Sequence, residues 1–454
     1  MIPPQVLRIA EHIAARGGRA LLVGGYVRDQ LLGQESKDLD LEVFGLDLAA
    51  LEGALAAFGP VSLVGRSFGV LRVAHLDIDI SVPRRERKVS AGHQGFAIEL
   101  DPTASFADAA RRRDLTINAM GRDPLTDELL DPYNGQRDLL ARVLRAVDAR
   151  TFGEDPLRGL RVAQLAARFE MKPDAELLAL CRALDLAELS GERIYIELCK
   201  LLLKSQRPSI GFALLRETGL VRFLPPLAAL IGLAQEPRWH PEGDAWTHTL
   251  LVLDAAARLR NGGADDTALM FGALCHDFGK AVTTALAADG TLRSPGHDYA
   301  GVSLATSFLA RLHASSALIA QVAALTQHHL DPGAFAKTAT PRGYRRLARK
   351  LEAAGVGIDL LARVARADSL GRTTPDALAG RAPEVDAFVQ RAEAVLTALQ
   401  APKDAVLGRH LIARGLVPGP SFAAILERCR DLQDDTGWSD PERLLDQVLS
   451  SKVR

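Results

Sequence analysis

The segment SKDLDLEVFG, residues 36–45, places two aspartates, Asp38 and Asp40, alternately with leucines in what reads as a buried strand. Side chains two residues apart on a strand point to the same face, so the two carboxylates project together while the leucines point into a core. Neighbouring carboxylates repel each other unless a cation lies between them, and Mg²⁺ prefers such oxygen ligands. The spacing predicts a magnesium site, although an edge strand with a solvated polar face would carry the same pattern.

A glycine turn lies just before this strand. The segment LLVGGYVRDQLLG predicts a strand, then Gly24 and Gly25, then an amphipathic helix. Glycines at a strand-to-helix turn let backbone N–H groups approach a phosphate, whose charge the helix N-terminus favours. In the later segment LDIDIS, Asp79 is a candidate third carboxylate, and an exposed strand face explains it equally well. A glycine turn followed by paired aspartates suggests two-metal phosphoryl transfer, in which one ion activates a hydroxyl and the other holds a triphosphate.

The segment EDPLRGLRVAQ predicts the start of another helix, with Asp155 as N-cap and Pro156 in the first helical position. Asp155, Arg158, Arg161 and Gln164 recur every three residues and so lie on roughly one face. A carboxylate accepts hydrogen bonds and a guanidinium donates them, so an Asp/Arg pair can favour cytosine and adenine over uracil and guanine. The sequence leaves open whether Asp155 caps the helix or reads a base.

A second group of candidate residues is rich in histidine, since seven of the eleven histidines lie between residues 240 and 329. Imidazoles and carboxylates on separate predicted helices suit a divalent metal that activates water against a phosphoester, although a lone histidine is more often a core residue. The segments WTHTLL, GALCHDFGK, PGHDYAG, TQHHL and ARADSLGR supply the candidates His248, His276, Asp277, His297, His328 and Asp368.

Composition limits the class of protein. The 454 residues suggest about two to four domains, and a formal net charge of −1 means that an acidic partner must be held by local basic patches. Four scattered cysteines argue against a disulfide framework or a zinc ribbon. The first residues do not resemble a signal peptide and no apolar run could cross a bilayer, so we expect a cytoplasmic protein with no membrane association.

The order of the motifs carries a resemblance. LVGGYVRDQLLG, KDLDLEVFG, RRRDLTINAM with DPYNGQRDL, and EDPLRGLRVAQLAARF resemble the bacterial class II tRNA nucleotidyltransferases, the CCA-adding enzymes of the polymerase-β superfamily, which have bacterial poly(A) polymerases as close relatives. The match is dense over residues 20–230. It implies an α+β fold in which a polymerase-β-like nucleotidyltransferase head, with a small mixed sheet plus helices, precedes helical domains. We expect the head at 1–150, an all-α neck at 151–230, an HD-type helical domain at 231–375 and a helical tail at 376–454.

The resemblance implies roles for individual residues of the head. Asp38 and Asp40 match the catalytic aspartates that bind Mg²⁺. Gln164 stands where many relatives have another arginine, which would weaken or remove one nucleotide contact. The implied nucleotide-binding residues are Gly24, Gly25, Arg28, Arg113, Glu154, Asp155, Arg158, Arg161 and, with that departure, Gln164.

The histidine-rich region resembles an HD-type phosphohydrolase domain, with HDFGK as its signature. The resemblance implies a phosphatase or 2′,3′-cyclic phosphodiesterase that holds Mg²⁺, Mn²⁺, Ni²⁺ or a similar divalent ion. Such an activity would restore a free hydroxyl at a damaged RNA 3′ end before nucleotides are added. The implied metal ligands are His248, His276, Asp277 and Asp368, with His297 and His328 as further candidates.

These resemblances predict template-independent addition of CCA to the tRNA acceptor arm from CTP and ATP. The connector before the RRD motif, from Arg84 to about Ala110, is full length, which counts against CC-only addition. An A-only enzyme, a poly(A) polymerase and a phosphohydrolase whose head only grips RNA remain alternatives, and the choice of monomer or homodimer stays open. Candidate RNA contacts, each also readable as a solvated charge, are Lys200, Lys204, Arg207, Arg342, Arg345 and Arg346.

Overall fold

The computed structural model describes residues 2–35, 39–64, 69–88 and 96–450, with 85–88 and 96–98 described by their backbone only. The predicted metal ligand Asp38 lies outside the described residues. The chain forms two compact units, the first comprising Met1–Leu189 with Ala213–Leu220 and the second Ser190–Phe212 with Val221–Arg454. The predicted division into four domains stays a prediction.

A mixed sheet forms the centre of the first unit. The strands of the first unit are β1 (Arg19–Val23), β2 (Leu39–Phe44), β3 (Val61–Val64), β4 (Val70–Val73), β5 (Ile78–Ser81), β6 (Arg84–Lys88), β7 (Phe96–Leu100), β8 (Gly121–Arg122), β9 (Leu129–Leu130), β10 (Val143–Leu144) and β11 (Lys172–Pro173). Within the mixed sheet, the described strands run in the order β3-β4-β5-β2-β1-β8-β9, and β2 and β5 pair in parallel near the middle. Together with the helical remainder, this small sheet confirms the predicted α+β class.

Alternation along β2 separates a core face from a polar face, as its sequence predicts. Leu41 and Val43 are fully buried in the core. Asp40 and Glu42 share the opposite face, and Asp40 lies opposite Asp79 of β5 in the parallel register. The sheet therefore brings two aspartates from separate segments of the chain to one place.

Part of the predicted connector loop is a strand pair. Residues 84–88 and 96–100 form the antiparallel pair β6–β7, and residues 89–95 lie outside the described part. The connector before the RRD motif is therefore partly strand. FAIEL is rich in the apolar and aromatic residues that favour strands, so it can pair with the basic segment before it.

Helices surround this sheet. In the sixth helix, Pro156 takes the N-cap position, one residue later than predicted, and Asp155 Oδ1 accepts a hydrogen bond of 3.1 Å from the Leu157 N–H. The helices of the first unit are α1 (Pro4–Ala14), α2 (Gly25–Leu31), α3 (Leu48–Leu55), α4 (Phe106–Arg111), α5 (Gly135–Leu140), α6 (Leu157–Phe169) and α7 (Ala175–Arg182).

The second unit is mainly helical, and the buried rings of Phe271, Phe278 and Phe308 lie in its core. No helix in the described part of the chain is long and apolar enough to cross a membrane. The helices of the second unit are α8 (Gly191–Lys204), α9 (Pro208–Glu217), α10 (Pro225–Ala228), α11 (Ala245–Arg258), α12 (Asp266–Cys275), α13 (Lys280–Thr283), α14 (His297–Arg311), α15 (Ser316–His328), α16 (Asp331–Thr338), α17 (Pro341–Ala353), α18 (Ile358–Leu370), α19 (Pro375–Leu378), α20 (Pro383–Val395), α21 (Gly408–Ala413), α22 (Ser421–Thr436) and α23 (Pro441–Ser450). The last residues of α9 belong to the first unit.

The expected all-α neck contains one two-residue strand, and the expected helical HD-type domain contains one short hairpin. The two-residue strand β11 pairs with β10, and β12 (Ala285–Leu286) forms a hairpin with β13 (Leu292–Arg293) around a turn that contains Gly290. Pairs this short leave no periodic pattern in the sequence, because alternation needs about four residues to be recognised.

Gly279 allows two segments of the second unit to approach closely. A Cβ added there would lie 1.9 Å from the carbonyl oxygen of His297 and 2.6 Å from the backbone nitrogen of Gly301. Both neighbours are backbone atoms of α14, so neither can move aside as a side chain could. The sequence therefore needs glycine at this position to hold α14 against the turn before α13.

We expect Gly279→Ala to lower the free energy of unfolding of the second unit by about 3 kcal/mol, because overpacking against backbone forces a helix to shift. Gly343→Ala is the matched control: it lies within α17, where the added Cβ meets only ordinary contacts beyond 3.5 Å. Urea unfolding followed by circular dichroism would compare them. Equal stability of the two variants would contradict the close approach.

Candidate active sites

The polar face of β2 carries the first candidate site. Asp40 is half-buried and lies opposite Asp79, which Arg72 of β4 binds through Nε at 2.6 Å. The side chains of Arg72 and Asp79 are each about half exposed to solvent. Carboxylate oxygens on adjacent strands are the ligand type that Mg²⁺ prefers, so the donors of this face fit the ion.

Glu42 is a member of this site that the sequence interpretation missed. It is fully buried on the same face of β2, two residues beyond Asp40. Its two oxygens accept hydrogen bonds from Arg112 at 3.1 Å and from Arg113 at 3.4 Å. The signal was present, because the alternation of carboxylates continues from Asp38 through Asp40 to Glu42. Glu42 thus connects the predicted metal strand to the RRD segment.

The glycine turn accommodates Arg113. Gly24 has a φ of +70°, and a Cβ there would lie 2.8 Å from Nη1 of Arg113. A side chain at Gly24 would therefore strain the backbone and would displace the guanidinium of Arg113 from the turn. Gly25 begins α2 directly after it. The structure brings the predicted turn and the predicted arginine together at the end of β1.

Arg28 points into the interior rather than lying on an open surface. It is 4% exposed, and it donates to Asp29 at 2.6 Å and to Asn118 Oδ1 at 2.6 Å. Its guanidinium also lies 4.5 Å from the ring centroid of Phe169. Burial lowers the pKa of Arg28 from its ordinary value, and Asp29 opposes that change. These contacts indicate that Arg28 orders the site, whereas the resemblance implies that it touches the nucleotide.

Asp114 joins the RRD segment to α6. Arg161 donates to its Oδ2 at 2.6 Å, and Asn118 donates to its Oδ1 at 3.0 Å. Burial alone would raise the pKa of Asp114, but Arg161 and these hydrogen bonds outweigh it and hold the pKa well below its usual range. The carboxylate therefore stays ionised and fixes the orientation of Arg161.

The other predicted residues of this helix lie close by. Arg158 donates to the carbonyl oxygen of Arg112 at 2.7 Å and to that of Thr151 at 3.0 Å, which fixes its guanidinium. Glu154 is half-buried. Gln164 is 5% exposed, and its Nε2 has no hydrogen-bond partner among the described residues. A neutral amide therefore occupies the buried position at which the resemblance implies a charge.

Asp277 lies at the centre of the second candidate site. Its Oδ2 lies 3.2 Å from His276 Nε2, and its Oδ1 lies 3.3 Å from His297 Nε2. On the side of Asp277 that faces His276, His248 Nε2 lies 3.4 Å from His276 Nε2 and 3.1 Å from Asp368 Oδ1. The predicted residues His248, His276, Asp277, Asp368 and His297 are therefore brought together. One carboxylate between two groups of imidazoles suits a pair of metal ions.

The imidazoles present one nitrogen to this centre because the other is held elsewhere. Nδ1 of His276 lies 2.9 Å from the carbonyl oxygen of Ala273, and Nδ1 of His248 lies 2.9 Å from Glu242 Oε1. An acceptor at Nδ1 holds the proton there and leaves Nε2 as a metal ligand. These donors therefore fit a divalent ion.

His329, rather than His328, belongs to this cluster. His329 Nε2 lies 3.3 Å from His297 Nε2 and 3.9 Å from Asp277 Oδ1. Burial lowers the pKa of His329 to about 3, which keeps its imidazole neutral, as a metal ligand must be. His328 instead lies 2.7 Å from Asp331 Oδ2. Adjacent residues of a helix point in directions about 100° apart, so only one of the two reaches the centre.

A cavity of about 250 Å³ opens onto this cluster, and cationic side chains line it. Lys280 Nζ lies 2.7 Å from Asp277 Oδ2, and Arg372 lies 3.2 Å from Asp368 Oδ2. Burial alone would raise the pKa of Asp277, but His276 and Lys280 outweigh it and hold the pKa well below its usual range. A phosphate group could therefore meet both metal ligands and positive charge in this cavity.

Most of the predicted RNA contacts have acidic or carbonyl partners. On α17, Arg342 pairs with Asp435 at 2.6 Å, Arg345 donates to the carbonyl oxygen of Asp434, and Arg346 pairs with Asp431 at 3.1 Å. These arginines hold α17 against α22. Lys200 pairs with Glu197 and Arg207 with Asp254, so their role in RNA binding stays a prediction, as does that of Lys204.

Comparison with known proteins gives three family matches along the chain. Residues 20–145 match the poly A polymerase head domain, residues 170–231 match the probable RNA and SrmB-binding site of polymerase A, and residues 245–372 match the HD domain. The second candidate site lies within the third match. The nucleotidyltransferase head and the HD domain both imply the use of divalent metal ions.

Two curated relatives carry the same name. The multifunctional CCA protein of Xanthomonas oryzae pv. oryzae is 37% identical over 428 residues, which cover 90% of this chain and 96% of that protein. The multifunctional CCA protein of Alkalilimnicola ehrlichii is 40% identical over 304 residues, covering 65% of this chain and 70% of that protein.

Solved structures share the fold. The Bacillus stearothermophilus CCA-adding enzyme in complex with CTP has a TM-score of 0.66 at 20% identity, covering 99% of this chain and 98% of that one. The Thermotoga maritima CCA-adding enzyme complexed with tRNA has a TM-score of 0.59 at 19% identity, covering 99% and 96%.

We expect His329→Ala to weaken the binding of Mn²⁺ by about tenfold or more, because it removes an imidazole from the cluster. His328→Ala is the matched control, and we expect it to keep the affinity of the wild type. Isothermal titration of the metal-stripped full chain, with metal content checked by mass spectrometry, would measure both. A larger loss in His328→Ala than in His329→Ala would reverse the assignment.

Proposed function

This chain belongs to the multifunctional CCA protein family, and on that premise we propose that it adds C, C and A to the 3′ end of tRNA from CTP and ATP without a template. The observation that carries the proposal is the hydrogen-bonded path in the first unit from Glu42 of the metal strand through Arg112 to Arg158 of α6. It links the strand proposed to hold the ions to the helix proposed to select the nucleotide. The two functions of a nucleotidyltransferase thereby share one rigid support.

In the mechanism we propose, the residues of the chain position the substrates. Asp38 and Asp40 would hold Mg²⁺, which when bound activates the attacking hydroxyl and stabilises the charge of the triphosphate. Arg113, which lies close to the glycine turn, would contact phosphate. Asp155 and Arg158 would offer an acceptor and a donor to the base, and their hydrogen bonds to the backbone hold them ready before the nucleotide binds.

We propose that the second unit hydrolyses phosphoesters at RNA 3′ ends, as a phosphatase or 2′,3′-cyclic phosphodiesterase. His248, His276, Asp277 and Asp368 would hold one divalent ion, Mg²⁺, Mn²⁺, Ni²⁺ or a similar metal, and His297 with His329 extends the set toward a second. Such an ion when bound lowers the pKa of water and supplies a nucleophile. The cationic side chains of the cavity would hold the phosphate beside it. Water would open a 2′,3′-cyclic phosphate to a phosphomonoester, and hydrolysis of that monoester would release inorganic phosphate and leave the free hydroxyl that the head then extends.

We place both activities in the cytoplasm. All four cysteines are free thiols, which suits a reducing compartment. The tRNA acceptor arm is the RNA partner of both sites in this proposal.

The addition activity is tested with three tRNA transcripts that end before CCA, after C and after CC, each incubated with Mg²⁺ and with CTP, ATP or both. We expect the shortest transcript to grow by C, C and A. Extension of the CC-ended transcript alone, and only by A, would identify an A-adding enzyme. Long A tails would identify a poly(A) polymerase. The absence of any extension would indicate a phosphohydrolase whose head only binds RNA.

The independence of the two sites is tested with charge-removing variants. We expect Asp40→Asn to slow nucleotide addition by at least about 100-fold, because it removes a metal ligand, and to leave hydrolysis of a 2′,3′-cyclic-phosphate RNA end unchanged. We expect Asp277→Asn to slow hydrolysis of the 2′,3′-cyclic-phosphate end and to leave nucleotide addition unchanged.

Asp77→Asn is the control for the head, since this aspartate is exposed and lies next to the same sheet. Rates of both reactions would be measured for all variants on the same tRNA. Loss of both activities in either single variant would contradict two separate sites.

A further inference from the structure

An aromatic ring lies at the mouth of the cavity in the second unit. Trp239 lines the same cavity as Asp277 and Arg372, yet it remains 56% exposed. The guanidinium of Arg238 lies 5.0 Å from its ring centroid. Single exposed apolar residues are common, so the significance of Trp239 depends on how its position is fixed relative to the cluster.

The segment before Trp239 is tied to the centre of the cluster. Gln235 Oε1 accepts a hydrogen bond of 2.7 Å from Lys280 Nζ. The same ammonium lies 2.7 Å from Asp277 Oδ2. One lysine therefore joins this segment to the carboxylate at the centre of the site.

The segment after Trp239 is tied to the cluster as well. Glu242 Oε1 lies 2.9 Å from Nδ1 of His248, and the backbone N–H groups of Trp239 and His240 both donate to the carbonyl oxygen of Glu236. The loop is thus a hydrogen-bonded turn anchored at both ends to residues of the cluster. The backbone position of Trp239 beside the cavity is therefore fixed, while its ring remains exposed.

The chemistry of the cavity divides into two parts. Lys280 and Arg372 beside the imidazoles suit a phosphate group. An aromatic face suits a nucleobase, because every base has a π-face that stacks on it regardless of sequence. A nucleotide would use both parts, whereas a phosphoester that lacks a base could use only the first.

We propose that Trp239 stacks on the base of the terminal nucleotide and so makes the second unit select nucleotide phosphoesters over those without a base. This inference rests on the proposed hydrolase function and adds a specificity-determining residue to it. The ring touches the base and none of the reacting atoms, so its contribution falls on substrate binding.

The test compares Trp239→Ala and Trp239→Phe with the wild-type full chain loaded with Mn²⁺. The two substrates are adenosine 2′,3′-cyclic phosphate and ribose 2′,3′-cyclic phosphate, which differ in the base alone. We expect Trp239→Ala to raise KM for the adenosine substrate by about 5- to 100-fold with little change in kcat. Trp239→Phe should recover most of the loss, and KM for the ribose substrate should stay the same in all three proteins.

An equal loss for both substrates, or no loss for either, would overturn the inference while leaving a wild-type hydrolase intact. An inactive wild type would contradict the proposed hydrolase function. The stacking of a base on Trp239 would then be tested by a binding measurement. We expect 2′-AMP, and not ribose 2-phosphate, to quench tryptophan fluorescence. Trp239→Phe should lose this quench and Trp438→Phe should keep it; equal quenching in both variants would overturn the inference.

Discussion

A buried carboxylate needs a cation within hydrogen-bond distance, and this requirement determines how both candidate sites are arranged. Glu42 is fully buried and is bound by Arg112 and Arg113, and Asp277 lies beside Lys280. Removing one partner of a buried pair costs about 3–5 kcal/mol, because the other charge is left uncompensated. The ion pairs therefore hold β2 against the RRD segment in the first unit, and the HDFGK segment in its folded form in the second unit. The positions of the proposed metal ligands follow from these pairings.

The HDFGK segment illustrates how closely stability and chemistry are combined. His276 and Asp277 are candidate metal ligands, and Lys280 balances the carboxylate. Phe278 is fully buried in the core, and Gly279 leaves room for the backbone of α14. Each of the five residues thus has a separate physical requirement. A substitution that spared the ligands could still move them by changing the packing next to them.

Features that depend on local pattern could be predicted from the sequence. The strand that carries Asp40 follows from its alternation, and the helix that carries Arg158 follows from its spacing and its proline. His276 and Asp277 are neighbours in a motif, so their proximity needs no tertiary information. The same alternation extends to Glu42, although the pattern alone does not show that two arginines bind it.

Features that depend on the pairing of distant segments could not be predicted. The register of β2 with β5 places Asp79 opposite Asp40, and β4 then brings Arg72 to the same aspartate. Arg28 lies on a helix of seven residues, whose short pattern does not reveal which face the core covers. The choice between neighbouring histidines at the end of α15 likewise depends on the rotation of that helix about its axis. Rotation and register are set by packing across the whole unit, and they decide which predicted side chains reach the chemistry.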